Sequence, residues 1–221
     1  MSLSHHFVFG IYPYICGALF LVGSLLRFDR EQYTWRSESS QMLSTGSLRW
    51  GSNLFHVGII GLFFGHFVGM LTPHAIIHAL GVTPGQKQML AVVAGGILGV
   101  TALIGLILLI HRRLTNARVR ATSRGRDFLV LFWILATLLL GLSTVPLSVE
   151  HSDGSTMLLL MSWAQHLVTF HGDAPAFITD VSMVFKFHIF MGMSLFAIFP
   201  FTRLVHVWRG LASVGFLIRP L

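Results

Sequence analysis

Four histidines stand where polar residues are rare. His56 and His66 lie in NLFHVGIIGLFFGHFVGM (53–70), and His188 and His206 lie in the apolar run from Met183 to Val207. An ionisable group at membrane depth is costly and marks a functional site by default. An imidazole there can ligate a metal or hydrogen-bond a neighbouring helix. Helix geometry helps to choose. His188 and His206 are about five turns apart, on one face and about 27 Å distant, while His56 and His66 are about 15 Å apart and rotated by about 80°. If the two stretches run antiparallel, His56 meets His206 and His66 meets His188. Zinc would want four N or S ligands, or three and a water. Each depth supplies two imidazoles with no neighbouring Cys or carboxylate. Haem iron needs only two axial ligands from protein, because the macrocycle supplies the rest. Two b-type haems, one per pair, is the economical reading. The competing one is four histidines each hydrogen-bonded to a carbonyl or hydroxyl across helices.

The elements that must hold these residues follow from composition. Of the 221 residues, 54% are hydrophobic and 10% charged, against about 25% charged in a soluble domain. Mean hydropathy is +0.75. Much of the chain therefore faces lipid. A bilayer core of about 30 Å needs about 20 mostly apolar residues in helix, because backbone groups in lipid must bond internally. Five segments qualify: Phe7–Leu26, Asn53–Leu71, Met89–Ile110, Phe128–Val145 and Met183–Val207. Breakers punctuate their ends at Thr72-Pro73, Thr83-Pro84-Gly85 and Val145-Pro146. The expectation is an all-α membrane protein with five transmembrane helices, and one domain over 1–221. The N-terminal MSLSHHFVFG lacks a basic n-region and an A-x-A site, so the first run is expected to be retained. Cys16 is the only cysteine, which excludes an internal disulfide and an iron–sulfur cluster held by this chain alone. No P-loop, CxxC or GxGxxG before a strand occurs, so redox or transfer chemistry must come from a cofactor or a partner.

The net charge of +7 gathers between apolar runs rather than over a polar surface. Arg27, Arg30, Arg36 and Arg49 follow the first span. Arg112, Arg113, Arg118, Arg120, Arg124 and Arg126 follow the third, and Arg203, Arg209 and Arg219 lie at the C-terminal end. The other side has Lys87, then Glu150, Asp153, Asp173 and Asp180, and no further cation before Lys186. The positive-inside rule gives an outside N-terminus and a cytoplasmic C-terminus. The remaining histidines read as ordinary polar residues: His5 and His6 at the terminus, His74, His78, His151 and His171 in outer loops, and His111 beside two arginines. His166, in SWAQHLVTF, is expected in an amphipathic interfacial segment.

Neighbours of the four histidines extend the site. Gly192 lies about 40° from the histidine stripe of the fifth span, where a missing side chain lets a flat macrocycle approach. Gly58, Gly61, Gly65 and Gly69 point mostly away from the histidine face and read as close helix packing. Arg203 is placed to pair with an inner-haem propionate and Lys186 with an outer one; the alternative for both is snorkelling to headgroups.

The motifs IYPYI (11–15), QYTWRSESSQML (32–43), NLFHVGIIGLFFGHFVGMLTPH (53–74), RRLTNARVRATS (112–123), DGSTM (153–157), SWAQHLVTFHG (162–172) and FPFTRLVHVW (199–208) resemble the gamma subunit of membrane-bound respiratory nitrate reductase. That family is a dihaem cytochrome b of the bacterial inner membrane. The resemblance covers nearly the whole chain and weakens after Trp208. It implies haem ligands at His56, His206, His66 and His188 with the same pairing. It also implies a cytoplasmic molybdenum catalytic subunit and an iron–sulfur subunit, which the gamma subunit anchors and feeds with electrons from quinol oxidised near the outer haem. The family has a lysine important for quinol just before the third helix. In the register of the resemblance Gln86 stands there, with Lys87 beside it as the candidate quinol contact. Alternatives are the cytochrome of a related complex, such as one serving sulfur-compound reduction, and a haem-free anchor or transporter.

Overall fold

The apolar runs become helices, as lipid requires of them. The computed structural model describes residues 2–31, 46–150 and 152–208; Arg36, His151, Arg209, Arg219 and the motif at 32–43 lie outside these. A short α1 (Leu3–His6) passes through a π-helical turn (Phe7–Ile11) into α2 (Tyr12–Glu31). Then come α3 (Gly46–Leu71), α4 (His74–Ala79), α5 (Pro84–Thr115), α6 (Ala117–Ala121), α7 (Gly125–Glu150), α8 (Ser155–Val168) and α9 (Met183–Ile198). Among the described residues five helices are long and apolar enough to cross a membrane: Leu3–Arg30, Leu48–Leu71, Pro84–Thr115, Gly125–Glu150 and Met183–Phe201. The all-helical, five-span expectation is met.

Three prolines show how sequence becomes shape. Pro13 has no N–H to give the carbonyl of Phe9, four residues back. The indole of Trp163 supplies it instead, at 3.0 Å. That bond draws α8 onto the bundle, and Met161, Trp163 and Ala164 are buried. The apolar face of SWAQHLVTF thus packs on protein. Pro146 was expected to end the fourth span, yet α7 runs through it to Glu150. Membrane helices tolerate proline where side chains take up nearby carbonyls. Pro146 has no N–H for Leu142 O; one residue further back Thr144 Oγ1 donates to Gly141 O at 2.6 Å, and past the proline, toward the helix end, Gln88 Nε2 donates to Ser148 O at 2.5 Å.

Pro200 does stop its helix. The fifth span was expected to run unbroken to Val207, but α9 ends at Ile198 and gives way to a 3-10 turn at Phe199–Phe201. Thr202 is extended (φ −119°, ψ 179°), and its hydroxyl caps a second turn, Arg203–Val205. The carbonyls freed by this break are met by α2, where Arg27 Nη1 donates to Pro200 O at 2.5 Å and to Thr202 O at 3.0 Å. Gly23 makes the approach possible, since a Cβ there would lie 2.7 Å from Pro200 Cγ.

Packing runs in an open series: α3 on α5, α5 on α7, α7 on α9, and α9 on α2. The α3–α5 crossing is the tightest. A Cβ on Gly58 would lie 2.5 Å from Ala102 N, and Gly61 meets Leu98. Gly65 and Gly69 have nothing within 4 Å of such a Cβ, so only the first half of the glycine stripe serves helix packing. Helices α3 and α9 are not among the closely packed pairs. The gap between them is where the histidines meet.

Candidate functional site

His56 and His66 project from α3, His188 from α9, and His206 from just beyond the turn Arg203–Val205. The structure brings them together as two pairs. The ring centroids of His56 and His206 are 6.1 Å apart, and those of His66 and His188 are 6.0 Å apart. The straight-helix estimate for His188 and His206 does not apply, because the chain between them is broken at Thr202.

Each ring is held by its Nδ1. That atom lies 2.7 Å from Ser52 O in His56, 2.7 Å from Leu62 O in His66, 3.0 Å from Thr137 O in His188 and 2.7 Å from Arg203 O in His206. A carbonyl oxygen only accepts, so every Nδ1 carries the proton. Every Nε2 then keeps a lone pair, the tautomer of a metal-ligating histidine whose other nitrogen is oriented by a carbonyl. Metal–nitrogen bonds of about 2 Å, with each nitrogen about 1 Å from its ring centroid, place coaxial imidazoles about 6 Å apart. Both pairs have that spacing. Among the described residues no three His, Cys, Asp or Glu side chains come together as a metal site. The donor set therefore suits an ion that needs two protein ligands, and the residues fit a haem at each pair.

Two glycines frame the rings. A Cβ on Gly192 would meet nothing within 4 Å, which leaves the open space a macrocycle needs beside α9. Gly141 does the opposite: a Cβ there would lie 2.8 Å from His188 Cε1. Gly141 and Thr137 on α7 together seat the His188 ring, and sequence reading missed both. Thr137 contributes a backbone carbonyl, which any residue has, and Gly141 a missing methyl, which in a glycine-rich membrane chain does not say what fills the space.

The expected cations have protein partners. Arg203 Nε and Nη2 grip Asp127 Oδ1 and Oδ2 at 2.8 and 2.6 Å, so the guanidinium sequence reading gave to a propionate has a carboxylate of this chain. Lys186 Nζ donates to Thr179 O at 2.6 Å. Gln86 and Thr83 form the capping box that starts α5, with Gln86 Oε1 accepting from Thr83 N at 2.9 Å. Lys87 Nζ reaches Met161 Sδ on α8 at 3.0 Å, and Gln165 of α8 donates to Met70 O and Thr72 O at the end of α3. Lys87 thus faces the end of the bundle that carries His66. Three other histidines make local contacts: His74 Nε2 lies 3.3 Å from Ser162 Oγ and His171 Nδ1 2.8 Å from Thr169 Oγ1. His166 Nδ1 is 2.8 Å from Asp173 Oδ1, a hydrogen bond that holds the Asp173 carboxyl below its usual range.

Comparison with known proteins meets this geometry. The family model of the nitrate reductase gamma subunit matches residues 5–221. The chain belongs to the nitrate reductase gamma subunit family. It is 51% identical over 208 residues to the respiratory nitrate reductase 1 gamma chain of Escherichia coli (strain K12), covering 94% of this chain and 92% of that one. The respiratory nitrate reductase 2 gamma chain of the same organism is 52% identical, with coverage of 91% and 89%. The nitrate reductase gamma chain of Bacillus subtilis (strain 168) is 34% identical, with coverage of 93% and 92%. With its five apolar helices, this member of the gamma subunit family is a multi-pass protein of the inner membrane and a subunit of a respiratory nitrate reductase.

Proposed function

We propose that this gamma subunit is the membrane anchor and quinol-oxidising electron-transfer subunit of its nitrate reductase. His56 and His206 hold an inner haem b, and His66 and His188 an outer one. The observation that carries this reading is the pair of imidazole couples with centroids about 6 Å apart, each ring with its Nδ1 proton on a carbonyl and its Nε2 left as the ligating nitrogen. When bound, the haems supply one-electron carriers at two depths, chemistry that no side chain of this chain provides. The protein fixes ring orientation and tautomer through the four carbonyls, and it keeps α3 and α9 apart. Lys186 and Arg203 retain N–H groups beyond their contacts and are the cations proposed for the haem carboxylates, with Gly192 giving the macrocycle room.

Direction follows from charge. The positive-inside rule puts the arginine-rich end, with His56 and His206, at the cytoplasm, and both Lys87 and the His66–His188 pair at the outer face. There an ammonium can donate to a quinone oxygen. Gln86 is occupied as a helix cap, whereas the contact of Lys87 is to a thioether, a weak acceptor. Lys87 is therefore the proposed quinol contact. Electrons leave at the cytoplasmic end to an iron–sulfur subunit and then a molybdenum-containing catalytic subunit. The whole described chain serves as one dihaem cytochrome b domain.

The first test is a reduced-minus-oxidised spectrum of the purified subunit in its complex, with haem quantified per chain. Two low-spin b haems are expected; none, or one, would sink the proposal. A second test isolates the seat of His188. Gly141→Ala places a methyl against the ring, and overpacking of that kind costs about 1–3 kcal/mol. The outer haem is expected to be lost or spectrally shifted while the inner one stays. An unchanged outer signal would show that the ring is not held there.

A further inference from the structure

His206 is the one proposed ligand that does not stand on a long helix, and the short turn that presents it is held from two sides. Its Nδ1 donates to the carbonyl of Arg203, so the position of residue 203 sets the orientation of the ring. On one side Arg27 of α2 holds the carbonyls of Pro200 and Thr202. On the other side Asp127, in the first turn of α7, grips the Arg203 guanidinium with both carboxylate oxygens. Asp127 is 3% exposed. Its charge is balanced by Arg203 and by Arg113 Nη1 at 3.4 Å, and Oδ2 also accepts from Arg124 N at 3.0 Å. A carboxylate in the first turn of a helix is further favoured by the helix dipole. A fork-to-fork Arg–carboxylate pair fixes angle as well as distance, which a hinge of two 3-10 turns cannot do by itself.

We propose that Asp127 is a positioning residue for the inner site, acting through Arg203 to aim the His206 imidazole, with Arg27 as its counterpart on the opposite side of the broken helix. The proposal rests on the haem reading above. Asp127 touches no reacting atom, and its effect reaches the cofactor through one guanidinium and one carbonyl.

The test uses the intact complex in membranes, with the outer haem as internal control for folding. Asp127→Asn removes the charge; Asp127→Glu and Arg203→Lys keep charge but break the bidentate grip. Each variant is examined by optical redox titration and by electron paramagnetic resonance of the oxidised inner haem. The inner signal is expected to move in its resonance position, and its oxidised-to-reduced preference to change about tenfold, or about 59 mV for a one-electron couple. The outer signal should stay in place. Asp127→Glu should restore more of the inner signal than Asp127→Asn. If Asp127→Asn does not accumulate, the two charge-conserving variants decide. Inner signals identical to the unaltered protein would overturn the role of Asp127. An unaltered protein without haem would instead sink the reading on which it rests.

Discussion

Substituting His66 or His188 is expected to remove the outer haem, halve the haem content and stop quinol-driven reduction. Substituting His56 or His206 is expected to remove the inner haem and leave the outer one reducible but unable to pass electrons on. The expectation follows from separate seating. His66 and His188 are oriented by Leu62 O and Thr137 O, and His56 and His206 by Ser52 O and Arg203 O. Neither pair shares an orienting carbonyl with the other. A bis-imidazole site that loses one ring loses half of its axial hold on the metal, and among the described residues no third His, Cys, Asp or Glu side chain joins either pair. Haem content per chain should fall by about half in each variant, and optical titration identifies the survivor. Equal loss of both haems in all four variants would indicate one coupled site.

Lys87→Ala carries the second large effect. A hydrogen bond from a charged donor is worth about 1.5–3 kcal/mol, so quinol-driven nitrate reduction in proteoliposomes should fall roughly tenfold to a hundredfold in kcat/KM. Both haem spectra should persist. Reduction by an artificial donor that feeds the partner subunits directly should also persist, because the proposed topology puts Lys87 at the far end of the bundle from that route. The side chain packs against Met161, so Lys87→Met is the useful companion: it keeps the apolar contact and removes the donor. Equal loss in both variants assigns the effect to the ammonium. Full activity in either would remove Lys87 from the quinol site, and proton release on the cytoplasmic side would relocate that site altogether.

Much of this arrangement is legible in the sequence. Lipid leaves few choices for an apolar run of 20 residues, so the five spans could be read directly. Histidines at membrane depth are conspicuous for the same reason, and an antiparallel relation of two spans brings them into pairs. What could not be read was decided by carbonyls and by space. Pro146 and Pro200 look alike in sequence; one sits inside a continuing helix and the other ends one. After Pro200 the freed carbonyls have a donor in Arg27 of α2, whereas α7 continues past Pro146 to Glu150. Gly58 and Gly65 also look alike, yet only the first is covered by another helix. Asp127 escaped notice because it lies among arginines that topology alone explains. Its meaning appears only when Arg203, 76 positions away in the chain, is found in its grip.

The two sides of the double site differ in their tolerance of a change in chain length. His56 and His66 share the unbroken α3, so one residue inserted between them would swing His66 through about 100° and out of the gap. Between His188 and His206 the chain leaves the helix at Pro200 and Thr202, where an added residue meets a linker already irregular. Helix α3 is therefore the ruler of the pair and the broken segment its adjustable jaw. If each pair holds a haem as proposed, the number of residues between His56 and His66 would act as a timing element, because electron tunnelling weakens exponentially with separation.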